Sequence, residues 1–157
     1  MILLCPRSDD WTLPLTVRTD TLPKHAGQIS LPGGMLEAGE SSEAAALREL
    51  EEEIGVPAKE VTLLGGLSPI YVWASDFVVT PHVAMAERPI VVTANPEEVA
   101  EAIEAPLSDL RNPANRGQMV IERRGLKFTA PYIKLGPHRV WGATLTILAE
   151  FLGLLDE

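Results

Sequence analysis

Apolar and polar positions change period several times along the chain. Ile2–Cys5 and Leu13–Val17 are short, β-favouring apolar stretches with the polar link Arg7–Trp11 between them, which predicts two neighbouring strands. Thr19–Gly27 is polar and contains Pro23 and Gly27, hence a loop, and Ile29–Leu31 reads as a short strand stopped by Pro32-Gly33-Gly34. From Ser41 to Ile54 the period lengthens. Leu47, Leu50 and Ile54 fall on one stripe of a helix whose start is marked by Ser41 and Ser42 and whose stop is Gly55, with Pro57 beyond. Val61–Leu67, Phe77–Ala86 and Pro89–Thr93 read as strands, Val99–Ile103 as strand or helix, and Pro106–Arg111 as a helical turn. Gly117–Ile121 and Leu126–Thr129 flank Glu122-Arg-Arg-Gly125 as a hairpin. Trp141–Leu154 places Trp141, Leu145, Leu148, Ala149 and Leu152 at helical spacing. Two long helices among irregularly placed strands predict an α/β (α+β) fold, a mixed sheet covered by helices on its faces.

Composition narrows the class without naming a function. The 157 residues suit one domain, residues 1–157, with one core, and 46% are hydrophobic against 22% charged. No run of 18 apolar residues exists to form a membrane-spanning helix, so no membrane association is expected. Met1–Arg7 lacks the basic and long apolar regions of a signal peptide. The lone Cys5 has no internal disulfide partner, which fits a reducing cytoplasm. The net charge of −9 argues against nucleic acid as a partner, because binding there needs lysine and arginine along the phosphates. An acidic protein acting on a phosphate ester also repels its substrate, and bound divalent metal is the usual remedy.

The chemistry concentrates in the helix from Ser41 to Ile54. Opposite its apolar stripe, Glu49, Glu52 and Glu53 share one face, with Glu49 and Glu53 an i, i+4 pair and Glu49 and Glu52 an i, i+3 pair. No lysine is interleaved among Glu49, Glu51, Glu52 and Glu53, whereas a solvated face would ordinarily mix the signs. Converging hard oxygen donors suit Mg²⁺ or Mn²⁺. Gly33 and Gly34 let the backbone approach a metal or phosphate, and the Gly33 carbonyl is a candidate ligand. Glu40 and Arg48 carry opposite charge and are placed to brace the loop against the helix.

The whole arrangement resembles the Nudix box: Gly, five residues, Glu, seven residues, then Arg-Glu-apolar-x-Glu-Glu-x-Gly-apolar. Gly34, Glu40, Arg48, Glu49, Leu50, Glu52, Glu53, Gly55 and Val56 fill every position. The resemblance implies an α/β/α sandwich, a metal-dependent pyrophosphohydrolase, and Glu49, Glu52 and Glu53 as metal ligands. A non-catalytic nucleotide-binding module is the reading from a different class. Outside the box the chain resembles the coenzyme A pyrophosphatases through Leu15-Thr-Val-Arg18, Leu22-Pro-Lys-His25-Ala-Gly27-Gln28 and Pro32-Gly-Gly34. Further likenesses are Phe77-Val-Val-Thr-Pro81, Asn95-Pro-Glu-Glu98-Val99, Pro106-Leu107 and Trp141-Gly-Ala-Thr144. That branch implies cleavage of CoA to 3′,5′-ADP and 4′-phosphopantetheine. Other Nudix substrates, such as ADP-ribose, NADH or a diadenosine polyphosphate, are the runner-up. Members of the branch usually carry a segment ahead of the first strand, where this chain opens directly, so any substrate contact made there is expected to be missing or replaced.

Arg18, His25 and Gln28, with Lys24, would add donors and positive charge near the phosphate loop and, with Gly34, form the substrate-binding set. Arg18 pairing with Asp20 and a solvated His25 are the competing structural roles. His82 reads as core or edge, His138 as a loop residue, and Arg111, Arg116, Arg123 and Arg124 as solvated. The general base is Glu52 in the box or a glutamate outside it. Glu98 heads the latter group, ahead of Glu97, Glu101 and Glu104. The expected partner is a small CoA-like nucleotide, and a homodimer is compatible with the sequence.

Overall fold

The computed structural model describes residues 1–19, 28–123 and 125–156. Its largest element is a six-stranded mixed sheet. β1 (Ile2–Pro6) pairs antiparallel with the start of β2 (Trp11–Arg18), and β3 (Ile29–Ser30) pairs antiparallel with its end. β4 (Val61–Gly66) lies at one edge beside β7 (His82–Ala86), which runs parallel to β1. β8 (Val99–Pro106) covers the other side of β2 along nearly its whole length. β5 (Ile70–Val72) and β6 (Phe77–Val79) form a separate hairpin. β9 (Arg116–Arg123), β10 (Leu126–Leu135) and β11 (His138–Trp141) form a three-stranded antiparallel sheet.

Alternation along the strands explains the layers. Ile2 of β1 and Leu13 and Leu15 of β2 turn to one face, where helix α3 (Gly142–Leu154) buries Ile147, Leu148, Phe151 and Leu152. Leu3 and Cys5 turn to the opposite face, with Ala84 and Ala86 of β7, and meet Leu50 and Ile54 of helix α1 (Ser42–Ile54). The result is the expected α/β/α sandwich. The short helix α2 (Leu107–Arg111) follows β8 directly. No helix among the described residues is long and apolar enough to cross a membrane.

Local chemistry sets the ends of α1. The Ser41 hydroxyl accepts from the Ala44 N–H (3.2 Å), satisfying a donor of the first turn, and Gly55 closes the helix at φ 70°. The structure corrects the predicted elements in three places and settles a fourth that the sequence left open. Phe77–Ala86 is two strands, because Pro81 cannot donate to a ladder. Pro89–Thr93 is not a strand: the backbone N–H groups of Thr93 and Asn95 instead donate to the free carbonyls of Ile54 and Glu53 at the end of α1 (both 2.9 Å). Val99–Ile103 resolves to the strand β8, because β2 offers it a full edge. Trp141 and His138 belong to β11, so α3 starts one residue after Trp141. Asp20, Lys24, His25 and the rest of residues 20–27, together with Arg124, lie outside the described residues.

Candidate metal centre

Three segments meet beside the C-terminal half of α1. The Gly33 N–H donates to Oε2 of Glu53 at 3.1 Å, and the nitrogen of Met1 donates to the Pro32 carbonyl at 2.6 Å, which fixes the Pro32-Gly33 turn over the helix. Gly34 lies against Glu49: a Cβ built there would meet Oε1 at 2.0 Å, so a side chain at this position would displace the carboxylate. On the other side, the turn from Asn95 to Glu98 is tied to α1 through the Asn95 N–H on Glu53 and closed by Glu98 and Val99 N–H groups on the Asn95 carbonyl (3.1 and 2.8 Å). The Glu98 carbonyl accepts from the Thr19 N–H at the end of β2 (3.2 Å).

This framework brings Glu49, Glu53 and Glu98 together, with one carboxylate oxygen of each within 4.8 Å of the others. Glu53 is 3% exposed and Glu49 9%. Burial pushes the Glu53 carboxyl up to about 7, against the Gly33 N–H, with the charge of Glu49 adding to the rise. Burial also raises Glu49, although Arg48 opposes it. The Arg48 guanidinium is divided among Glu40 (3.0 and 3.1 Å), Glu49 (2.9 Å), Glu52 (2.8 Å) and the Met35 carbonyl (3.0 Å). It cannot neutralise the three converging carboxylates. The donor set therefore fits a hard divalent cation: anionic oxygens, close together, desolvated and under-compensated.

The expected site residues divide as follows. Glu49, Glu53 and Glu98 converge. Glu40 and Arg48 form the anticipated brace, and the Arg48 hydrogen bonds hold the Glu40 carboxyl below the usual range. Glu52 is turned outward on Arg48, half exposed, outside the group of three. Gly33 contributes its N–H. Arg18 is close enough for its charge to lower Glu53, and its N–H donates to the Gln28 carbonyl at 3.1 Å. The remaining acidic candidates lie elsewhere. Glu97 is exposed, Glu101 faces His138 and Glu104 pairs with Arg7. His82 is buried and its Nε2 lies 3.0 Å from the Ser42 hydroxyl, as a core position implies. Arg111 pairs with Asp156 at the surface. Asn95 was not singled out by sequence reasoning as an organiser of the site. Its signal was the Asn-Pro pair that favours a turn.

The NUDIX domain profile matches residues 2–124. The chain belongs to the Nudix hydrolase family. The uncharacterized Nudix hydrolase NudL of Photorhabdus laumondii is 37% identical over 140 residues, 88% of this chain and 74% of that protein. The uncharacterized NudL of Yersinia pestis is 38% identical over 138 residues, 87% of this chain and 69% of that protein. Among solved structures, a MutT/nudix family protein from Enterococcus faecalis superposes with a TM-score of 0.62 at 20% identity, over 100% of this chain and 61% of that one. The Ap4A hydrolase of C. elegans gives 0.58 at 20% identity, over 69% of this chain and 78% of that one. These structures share the Nudix fold. As a Nudix hydrolase the chain is a pyrophosphatase acting on a nucleotide-derived small molecule, and the family generally works with divalent metal ions.

Two outcomes follow from this geometry. Gly34→Ala forces the tip of the Glu49 side chain to move while leaving the core alone. Activity should fall at least about tenfold, as expected when a ligand is misplaced, while the thermal melt stays within a few degrees. A fully active variant would show that Glu49 does not need its place against Gly34. The second concerns pH. The unfolded chain releases the Glu53 proton near pH 4.5 and the folded, metal-free chain near 7, so the folded form loses stability as pH rises through that window. A cation offsets the buried charge. Divalent metal should therefore raise the melting temperature more at pH 8 than at pH 5, and equal increments at both would contradict the burial of Glu53.

Proposed function

We propose that this Nudix hydrolase cleaves the diphosphate of coenzyme A or a CoA derivative to 3′,5′-ADP and 4′-phosphopantetheine, using Mg²⁺ or Mn²⁺. Residues 1–157 would act as one domain in the cytoplasm. The observation that carries the reading is where the CoA-like segment enters and leaves. Leu15–Gly34 begins on β2, whose end is bonded to Glu98 through Thr19 and to Gln28 through Arg18, and finishes at the Gly33 turn bonded to Glu53. Arg18 and Gln28, two of the residues that set this branch apart, thus lie at the two ends of the segment beside the carboxylates, and the reading assigns His25 to the same substrate-binding set. A substrate bearing a phosphate besides its diphosphate calls for such donors.

In this reading Glu49, Glu53 and Glu98 hold the cation, with the Gly33 backbone and Glu52 as further contributors. When bound, the metal would neutralise charge on the diphosphate and lower the pKa of the attacking water. Arg48 and Glu40 keep Glu49 and the Gly34 loop in register. Arg18, His25, Gln28 and Gly34 orient the nucleotide. Glu98 or Glu52 takes the proton from water. Glu98 is favoured because it already lies with Glu49 and Glu53, whereas Glu52 is engaged with Arg48.

A panel of CoA, ADP-ribose, NADH and diadenosine polyphosphate, assayed with Mg²⁺ and with Mn²⁺, tests the substrate. CoA should give the highest kcat/KM, and much faster turnover of ADP-ribose would overturn the choice. Tight binding without turnover of any diphosphate would instead favour a nucleotide-binding module. Glu53→Gln preserves shape and removes a charge, and should lower kcat by at least about 10²-fold. His25→Ala should harm CoA more than ADP-ribose, whereas equal losses would mean that His25 only supports its loop.

A further inference from the structure

The loop that carries Gly34 presents an exposed apolar surface for which the metal chemistry has no use. Met35 is 68% exposed and Leu36 57%, directly after the glycine that touches Glu49. The loop is not loose. The Met35 carbonyl accepts from Arg48 (3.0 Å), and the Glu37 N–H donates to Glu40 (3.0 Å), whose other oxygen is held by Arg48 (3.0 Å). These internal bonds occupy backbone polar groups that could otherwise have read a hydroxyl or an amide. What the loop offers outward at this point is the methionine thioether and the leucine isobutyl group.

Two adjacent large apolar side chains on a braced loop lose hydration only when something apolar covers them. The Met35 carbonyl rests on the same Arg48 that holds Glu49, and Gly34 touches that carboxylate, so an occupant of this surface would adjoin a diphosphate bound at the carboxylates. Resting on the reading of the site as a nucleoside-diphosphate hydrolase, we infer that Met35 and Leu36 form a ledge for the non-nucleotide arm of the substrate, and that this arm is aliphatic at the point of contact. A base or a hydroxyl-rich sugar would need polar partners, which the methionine and leucine side chains do not offer. An unbranched, polarisable methionine also tolerates arms of different length. The ledge is a specificity element and makes no contact with the reacting atoms.

The test uses the whole chain and two matched pairs of substrates: CoA against 3′-phospho-ADP-ribose, and the β-hexyl ester of ADP against ADP-ribose. The second pair lacks pantetheine and the 3′-phosphate, so it holds even if CoA is the wrong substrate. The wild-type protein should favour the aliphatic member of each pair it cleaves, through KM. The double variant Met35→Ser, Leu36→Ser should lose roughly tenfold of that preference, the scale of burying one or two methylenes in all. Its loss on the hydroxylated member should be much smaller than on the aliphatic one, because the Met35 carbonyl that Arg48 uses is still present. Failure to cleave CoA while the β-hexyl ester of ADP and ADP-ribose turn over with the predicted preference would overturn the CoA assignment and leave the ledge standing. Equal loss on both members of a pair, or no change on either, would overturn the ledge alone. No hydrolysis of any of the four would overturn both.

Discussion

Glu49 and Glu53 stand one helical turn apart, both nearly removed from water, with Glu98 brought in from a distant turn to face them. Like charges gathered and desolvated in this way destabilise the chain that holds them. A solvated version of the same helix would need none of the surrounding apparatus: the turn at Gly33, the missing side chain at Gly34, the fourfold use of Arg48, and the Asn95 turn tied to the helix terminus. Gly34 leaves the space that the Glu49 carboxylate fills, and the others hold a carboxylate or the turn that carries it in place.

The rest of the fold supplies fixed walls for that gathering. Leu50 and Ile54 lie fully buried under α1, which sets the helix rotation and therefore the direction in which Glu49 and Glu53 leave it. β2 carries the Glu98 turn on its Thr19 end and presents Arg18 beside Glu53, while β3 delivers the glycine turn. Thr144 of α3 donates to the Ile29 carbonyl at 2.9 Å, so the opposite layer also anchors the short strand ahead of the loop. The site is thus built where two strand ends, one helix and one turn converge, and a shift in any of them moves a carboxylate.

Much of this was legible in the chain. The apolar stripe of α1, its Ser41 start and its Gly55 stop are local features, and local physics decided them. The box spacing named Glu49, Glu53, Glu40 and Arg48, and the structure brings these together in the anticipated pairs. Glu98 was recoverable only as a ranked choice, since its approach to α1 depends on backbone bonds between residues more than forty positions apart. The segment Pro89–Thr93 misled for the same reason. Its β-favouring residues are real, but the unsatisfied carbonyls at the end of α1 competed for its N–H groups. The helix wheel placed Glu52 with Glu49 and Glu53 because it counts angles, whereas Arg48 draws Glu52 away.

The central claim is that the three converging carboxylates, Glu49, Glu53 and Glu98, form one cation site. Direct titration of the metal-free protein with Mn²⁺, followed by the loss of the free-ion EPR signal, tests it without any substrate. Glu53→Gln and Glu98→Gln should each weaken binding by at least about tenfold, consistent with loss of a charged oxygen ligand, while the neighbouring exposed Glu97→Gln should leave the curve unchanged. Unaltered Mn²⁺ affinity in Glu53→Gln and Glu98→Gln would contradict the account.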